Sequence, residues 1–218
     1  MSKYFLSLSF LLLAAVLSGK DNYKLLQDNY KPISNTAEFK SKLAEMVTLT
    51  NTMTCDFIQE KNLVVLSEKI ISKGKLYFKK ENNIRWEYTD PLRYLIIINQ
   101  DKIFIRDDNT RKQYDIKSNK MFKELNKFIM GCIQGDILKN DKEYAIEYFE
   151  NSKQYYVKLI PRAEKMRQML NELQIWFKKD DLTISSLKMV ESDDDYTKID
   201  FFNKKMNSDI PLEKFNFK

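Results

Sequence analysis

The spacing of hydrophobic residues changes along the chain, and each change marks a different kind of element. After Asn35, apolar residues recur every three or four positions from Phe39 to Val47, which predicts an amphipathic helix. Asn35 can cap this helix and Glu38 follows three residues later, as in a capping box. From about Met53 the period becomes two, which predicts β-strands. The folded part of the chain is therefore expected to begin with a helix that leads into a sheet.

A run of strands is predicted from about residue 53 to residue 117. The stretch IRWEYTDP is the clearest example, because Ile84, Trp86 and Tyr88 alternate with polar residues and Pro91 ends the strand. Other runs of the same kind are MTCDFIQEK, SKGKLYFKK, RYLIIIN, KIFIRD and KQYDIK. Together they predict an antiparallel meander of about six strands.

A second helical pattern interrupts the strands. In SNKMFKELNKFIMGCIQGDIL, apolar residues repeat at intervals of three and four, which predicts one amphipathic helix or two short ones divided at Gly131. Strand patterns then resume in EYAIEYFE, QYYVKLIP, LQIWFKK, TISSLKMVES and TKIDFFN. This order predicts an α+β fold, in which a single large, strongly curved antiparallel sheet is covered by helices on one side.

The first 19 residues have the layout of a secretory signal peptide. MSKYFLSLSFLLLAAVLSG places Lys3 before an apolar run that ends in Ser18 and Gly19. The run is too short to span a bilayer comfortably, although a retained membrane anchor is the alternative. We therefore expect residues 1–19 to be a signal peptide and residues 20–218 to form a single domain that starts with a loose arm.

Composition argues against most catalytic and metal-binding chemistries. The sequence has no histidine, which excludes Ser-His-Asp and Cys-His catalytic sites and His-ligated zinc or haem. In an oxidising compartment Cys55 and Cys132 could form a disulfide, or they could be two buried small apolar residues. The net charge of +6 is spread over single lysines and does not indicate nucleic acid binding. We therefore predict no metal, no cofactor and no catalytic residue.

One acidic cluster provides an alternative. Asp193, Asp194 and Asp195 in ESDDDY could serve acid–base hydrolysis or bind calcium. They stand between two strand patterns, where a solvated turn is expected. A hydrolase that uses these carboxylates is the remote alternative to a binding protein.

The predicted sheet has more apolar surface than the predicted helices can cover. Aromatic and aliphatic residues recur at strand spacing throughout, and a sheet face of this kind must be covered. The excess could form a concave pocket for an apolar ligand. A fully packed core is the competing interpretation.

Short motifs in a fixed order resemble one known family. They are Phe57 and Gln59; Gly74, Leu76, Phe78, Lys79 and Lys80; Arg85, Trp86 and Tyr88; Pro91; Asn99 to Asp101; and Phe215 and Phe217. Each motif is weak alone. Their order behind a signal peptide, across nearly all of residues 36–218, resembles the LolA family of periplasmic outer-membrane lipoprotein carrier proteins.

The resemblance implies an unclosed β-barrel of about 11 strands with a helical lid. Its apolar cavity would take the acyl chains of lipoproteins in the periplasm. The carrier would receive them from an inner-membrane lipoprotein-releasing ABC transporter and deliver them to the outer membrane, where a LolB-like acceptor would take them. It would act as a monomer, bind no nucleic acid and catalyse no reaction. Binding of another lipid and envelope-stress sensing are alternatives within the same fold.

The resemblance also assigns residues. The lipid-binding cavity would be lined by Phe57, Leu76, Phe78, Ile84, Trp86 and Tyr88, and the lid would contribute Phe122, Leu125, Phe128, Ile129 and Ile133. Arg85 and Glu87 are expected on the opposite, solvated face. Lys80 stands where the best-studied carriers have an arginine that tethers the lid, and Glu81 where proline is usual. Because lysine lacks the planar fork of arginine, we expect a latch that is weaker or absent.

Overall fold

The computed structural model describes residues 29–66, 68–91, 93–117, 120–133, 135–192 and 195–217. The predicted signal peptide, residues 1–19, lies outside these ranges. Within them, no helix combines the length and the apolar character that a membrane crossing requires.

Helices are few and strands dominate the described residues. The α-helices are α1 (Thr36–Leu49), α2 (Lys120–Ile133) and α3 (Glu164–Arg167), and short 3-10 helices occupy Asp136–Lys139 and Leu212–Phe215. The strands are β1 (Lys31–Pro32), β2 (Thr52–Asn62), β3 (Ile70–Lys79), β4 (Asn83–Asp90), β5 (Tyr94–Asn99), β6 (Lys102–Arg106), β7 (Arg111–Asp115), β8 (Tyr144–Glu150), β9 (Gln154–Pro161), β10 (Glu172–Lys178), β11 (Ile184–Ser192) and β12 (Asp195–Met206).

The strands form one sheet in the order β1-β8-β9-β10-β11-β12-β2-β3-β4-β5-β6-β7. It has two edges, β1 and β7, so the sheet is not closed. The predicted α+β fold with a single unclosed antiparallel sheet is therefore confirmed. The sheet has 12 strands because Lys31 and Pro32 pair with β8, in the segment that the sequence predicts as a loose arm. The single domain over residues 20–218 stays a prediction.

The residues group into two compact units. The first contains residues 29–36, 59–71 and 140–200. Its core comes from β9 and β10, where Val157, Leu159, Leu173 and Ile175 are all buried. Because alternate residues of a strand share one face, these side chains meet across the paired strands.

The second unit contains residues 37–58, 72–139 and 201–218. Its strand β5 is buried on both faces, which explains why YLIIIN is a continuous apolar run instead of an alternating one. One face of β5 belongs to a cluster built with the C-terminal segment: Leu95, Ile97, Phe104, Ile210 and Phe215, with Tyr77 and Phe217 against it. The C-terminal F-x-F motif therefore covers the sheet.

The predicted solvated face of β4 is wrong in this unit. The side chains of Arg85 and Glu87 are only 15% and 28% exposed. Arg85 also donates a hydrogen bond to the carbonyl oxygen of Lys214 at 3.4 Å. The cause is the C-terminal segment, which occupies the face that periodicity alone leaves open to water.

The two predicted helices are confirmed, whereas the prediction of a solvated turn at the acidic cluster is wrong for Asp195. Helix α1 begins directly after Asn35, and α2 continues through Gly131 as one helix. Asp195 belongs to β12, is buried, and accepts a hydrogen bond from the backbone N–H of Val64 at 2.7 Å. The predicted solvated turn is therefore wrong for Asp195, whereas Asp193 and Asp194 lie outside the described residues.

Candidate functional site

Strand β4 presents three predicted cavity residues on one face. Ile84, Trp86 and Tyr88 alternate along it, and the register places Phe78 opposite Ile84 and Leu76 opposite Trp86 on β3. Residues directly opposite in an antiparallel pair point to the same side of the sheet. Period-two spacing therefore predicts correctly that these five side chains share a face.

Aromatic rings form a continuous row on this face. The ring centroid of Phe57 lies 5.1 Å from that of Trp86 and 5.1 Å from that of Tyr88. Tyr88 lies 6.1 Å from Tyr94, and Trp86 lies 6.3 Å from Phe201. These separations are typical of favourable tilted and edge-to-face contacts. We call these five residues the aromatic row.

Gly74 makes the position of Phe57 possible. It pairs with Tyr88 across the β3–β4 ladder. A Cβ atom at residue 74 would lie 2.5 Å from a ring carbon of Phe57 and would also overlap the carbonyl oxygen of Glu87. The glycine is therefore required by close packing, and the ring of Phe57 lies directly over the backbone of β3.

Burial of the predicted cavity residues is uneven. Phe57, Leu76, Phe78 and Ile84 are at most 2% exposed, whereas Trp86 and Tyr88 are half-buried. Burial raises the pKa of the Tyr88 phenol, which therefore stays neutral. Both a packed core and the closed state of a lipid cavity bury such side chains, so their role as a cavity lining stays a prediction.

The predicted lid residues lie on α2. Ile129 and Ile133 are half-buried. The side chains of Phe122, Leu125 and Phe128 lie outside the described residues, and their role stays a prediction.

Helix α1 ends in a turn whose carbonyl groups are satisfied. The last four carbonyl oxygens of a helix have no partner within it. Here Thr50 serves two of them: its hydroxyl donates to Met46 O at 2.8 Å, and its backbone N–H donates to Val47 O at 3.2 Å. The other two carbonyl oxygens receive hydrogen bonds from other segments of the second unit.

Lys80 provides the first of these bonds. Its Nζ atom donates to the carbonyl oxygen of Thr48 at 2.5 Å, and its backbone N–H donates to Asn51 O at 2.8 Å. A positive charge also suits the negative end of the helix dipole. This contact is to α1, whereas the predicted lid residues lie on α2, so the role of Lys80 as a lid latch stays a prediction.

Asn207 provides the second bond, and the sequence did not predict it. Its Nδ2 atom donates to Leu49 O at 3.0 Å, and its Oδ1 atom accepts from the N–H of Asn51 at 2.7 Å. The residue has a φ of 54°, a conformation that asparagine tolerates well. We call Lys80 and Asn207 together the clasp. The signal that the sequence offered for this role was only that Asn207 is a polar residue directly after the last strand.

The turn between β3 and β4 explains a departure from the family pattern. Glu81 and Asn82 have φ values of 71° and 62°. Proline is locked near a φ of about −65°. This turn therefore cannot accept the proline that is usual at residue 81.

Both cysteines are free and buried. Burial raises the pKa of Cys55 and of Cys132 to about 12. Each thiol stays protonated at neutral pH and packs as a small apolar side chain. The disulfide that the sequence allows is not formed in this structure.

A buried ion pair in the first unit was also not predicted. Lys61 Nζ lies 3.3 Å from Glu191 Oε2, and the two side chains are 5% and 3% exposed. Thr197 Oγ1 donates to Glu191 Oε1 at 3.0 Å. Lys61 follows the alternation of Phe57 and Gln59 along β2, so its inward position could have been inferred from the strand period.

The family model and the similar curated proteins carry the same family name. The model of the family "Outer membrane lipoprotein carrier protein LolA" matches residues 48–218. An outer-membrane lipoprotein carrier protein from Francisella philomiragia is 30% identical over 152 residues, which are 70% of each chain. One from Pseudomonas paraeruginosa is 24% identical over 144 residues. This chain spans 66% of that relative, just under two thirds of its length.

A solved structure has a similar fold. The complex of Pseudomonas aeruginosa MucA and MucB matches with a TM-score of 0.52 and 12% identity. The match covers 83% of this chain and 60% of that one. At this identity the similarity concerns the fold alone.

Proposed function

Because the chain belongs to the LolA family of outer membrane lipoprotein carrier proteins, we propose that it carries acylated proteins across the periplasm. It binds their acyl chains against the aromatic row and keeps them out of water. It takes cargo from an inner-membrane lipoprotein-releasing ABC transporter and gives it up at the outer membrane, to a LolB-like acceptor. The family is one of binding proteins, and the proposed cycle makes and breaks no covalent bond.

The aromatic row carries this proposal. Phe57, Trp86 and Tyr88 form a contiguous apolar group on one face of the second unit, with Leu76 and Ile84 beside it. Phe57, Leu76 and Ile84 are buried here, so acyl chains reach them only after the covering residues move aside. Each methylene that leaves water contributes about 0.8 kcal/mol. Burying two or three acyl chains against these residues therefore contributes far more binding free energy than any surface hydrogen bond.

Release requires an element that moves at low cost, and α1 has this property. Only two of its side chains, Phe39 and Leu43, are fully buried. Burying each contributes about 1.5–3 kcal/mol. The clasp adds two side-chain hydrogen bonds, worth about 1 kcal/mol each. Displacing α1 thus costs on the order of 5–8 kcal/mol, which the burial of about ten methylenes offsets.

A fluorescence titration tests the proposal. The chain has two tryptophans, so the variant Trp176→Phe leaves Trp86 as the sole reporter. We expect a triacylated lipopeptide to shift the Trp86 emission to shorter wavelength, and the same peptide without acyl chains to leave it unchanged. The matched variant Trp86→Phe, which keeps Trp176, should show no shift.

Mass spectrometry of the protein purified from periplasm provides the second measurement. Acylated protein or lipid should co-purify with the native chain. If the lipopeptide does not shift the Trp86 emission and no acylated protein or lipid co-purifies, the carrier function is wrong.

A further inference from the structure

Strand β7 ends the sheet in the second unit, and one of its sides has no neighbouring strand. The unpaired backbone groups of such an edge can pair with an extended chain. The other edge, β1, has two residues, and one of them is Pro32, which has no N–H. Strand β7 has five residues, no proline and an unbroken register with β6. It is therefore the edge that offers a template for a further strand.

The hydrogen bonds at the two ends of the β6–β7 hairpin fix the phase of its ladder. Near the turn, the N–H of Asp107 donates to Thr110 O at 3.1 Å. At the far end, the N–H of Ile116 donates to Asp101 O at 2.7 Å. Directly opposed residues in an antiparallel pair alternate between bonded and non-bonded pairs, and the register between these two bonds is regular. Every second pair inward from either end is therefore bonded.

This phase determines which backbone groups of β7 point away from β6. Lys112 and Tyr114 stand in bonded pairs, so their backbone groups bond to β6. The N–H and C=O groups of Arg111 and Gln113 point the other way, to the free edge. Neither N–H donates to any residue that the structure describes, and both side chains are exposed. These two residues thus present the donors and acceptors that an added strand requires.

The charges at this edge favour an acidic chain. Arg111 is directly opposite Arg106 of β6, and like charges in this arrangement destabilise the ladder. Arg106 has an acidic neighbour, because Arg85, through a hydrogen bond, and then Arg106 lower the pKa of Glu87. Arg111 lies one strand further out and makes no hydrogen bond or ion pair with its side chain to any described residue. A carboxylate on the next strand outward would be its partner.

We propose that β7 binds an extended segment of an acidic partner protein, which adds to the sheet as a further strand and places a carboxylate against Arg111. Backbone bonds to Arg111 and Gln113 supply affinity, and the ion pair supplies the preference for acid. The net charge of +6 opposes a second copy of this chain as the occupant. The inference goes beyond the carrier function and does not depend on acyl binding.

Blocked synthetic peptides test the edge directly. The probe alternates threonine and valine and carries a pair of adjacent glutamates near its C-terminal end, which meet Arg111 and Lys112 when it runs antiparallel to β7. A matched peptide has glutamine at both positions. At low salt we expect the glutamate peptide to bind the full chain about threefold to tenfold tighter than the glutamine peptide, and this preference should vanish at high salt.

A backbone variant separates strand addition from attraction at the surface. Gln113→Pro removes the outward N–H and keeps the β6–β7 ladder, because residue 113 stands in a non-bonded pair with β6. It should weaken binding of the glutamate peptide about tenfold, whereas Gln113→Ala keeps the N–H and should bind as the native chain does. In the native chain, the peptide should slow amide hydrogen exchange at Gln113. That measurement needs no variant.

A charge variant tests the choice of an acidic partner. Arg111→Gln should remove most of the preference for the glutamate peptide over the glutamine peptide. The control Arg167→Gln removes an exposed arginine from α3 in the first unit and should keep the preference.

Each contrary result overturns one part of the inference. Equal affinity for the two peptides contradicts an acidic partner. Equal binding by Gln113→Pro and Gln113→Ala, or unchanged exchange at Gln113, contradicts strand addition. Self-association of the chain alone that Gln113→Pro abolishes would make a second copy the occupant. None of these results bears on acyl binding, which the Trp86 titration tests separately.

Discussion

Lys80 Nζ donates a hydrogen bond to the carbonyl oxygen of Thr48, and this contact joins the end of β3 to the last turn of α1. The donor carries a positive charge and the acceptor lies at the negative end of the helix dipole. Where the sequence resemblance implies an arginine, this chain has a lysine, whose ammonium makes one hydrogen bond to the helix.

Removing this contact should loosen α1 without unfolding the protein. For Lys80→Ala we expect a loss of about 0.5–1 kcal/mol in the free energy of unfolding, because the bond is exposed to solvent. Amide hydrogen exchange in the last turn of α1 should become faster. Lys73→Ala, on the preceding strand β3 with a surface ion pair to Asp90, is the control and should leave α1 unchanged. Unchanged exchange in Lys80→Ala would show that Lys80 does not hold the helix.

Asn207 should contribute more than Lys80, because its side chain both donates and accepts. The test is Asn207→Gly, since glycine keeps the φ of 54° without strain. We expect a loss of about 1–2 kcal/mol in urea unfolding. Asn203→Gly is matched, with a φ of 51° and one exposed hydrogen bond to Asp56. A loss no larger than that of Asn203→Gly contradicts the assigned role.

Two glycines should respond oppositely to alanine. Gly74→Ala forces a Cβ atom against the ring of Phe57 and the backbone of Glu87, so we expect a loss of more than about 2 kcal/mol. At Gly131, inside α2, the nearest atoms lie at an ordinary 3.5 Å. Gly131→Ala should therefore stabilise the protein by about 0.5–1 kcal/mol. Thermal unfolding of both variants checks the pair, and a harmless Gly74→Ala would mean that Phe57 can move aside.

The buried pair of Lys61 and Glu191 should be costly to break. Lys61→Met leaves a buried carboxylate whose remaining side-chain partner among the described residues is Thr197, so we expect a loss of about 3–5 kcal/mol. The double variant Lys61→Met/Glu191→Leu removes both charges and should recover most of that loss. Urea midpoints of the two single variants and the double variant give the coupling energy directly. Additive losses would contradict the pair.

The two thiols should be unreactive until the protein unfolds. With their pKa values raised to about 12, Cys55 and Cys132 carry almost no thiolate at neutral pH. A chromogenic thiol reagent should detect no thiol in the native protein and two in denaturant without reductant. Detection of none in denaturant would establish the disulfide that the sequence allows.

Local spacing was sufficient to predict the face of β4. Ile84, Trp86 and Tyr88 alternate strictly, and a strand with one buried side has only one register that fits such a pattern. The same reasoning misplaced Arg85 and Glu87. Arg85 is bonded to the carbonyl oxygen of Lys214, 129 positions along the chain, and periodicity describes only the strand itself.

The other features that the sequence did not predict are contacts between segments far apart in the chain. Asn207 meets the end of α1 across 158 positions, and Lys61 meets Glu191 across 130. No local pattern encodes such partners. By contrast, the pairing of Arg106 with Arg111 follows from the short hairpin between them, which the polar run DDNT indicates.

The two edge strands of the unclosed sheet carry residues that hinder pairing with another copy of the protein at high concentration. Edge β1 has two residues, and one is Pro32, which has no N–H to offer an incoming strand. Edge β7 begins with Arg111 and Lys112, whose charges repel a second copy. The unclosed sheet is thus protected at both edges against strand-to-strand aggregation. Replacing these edge residues with β-branched apolar ones would promote self-assembly into fibres.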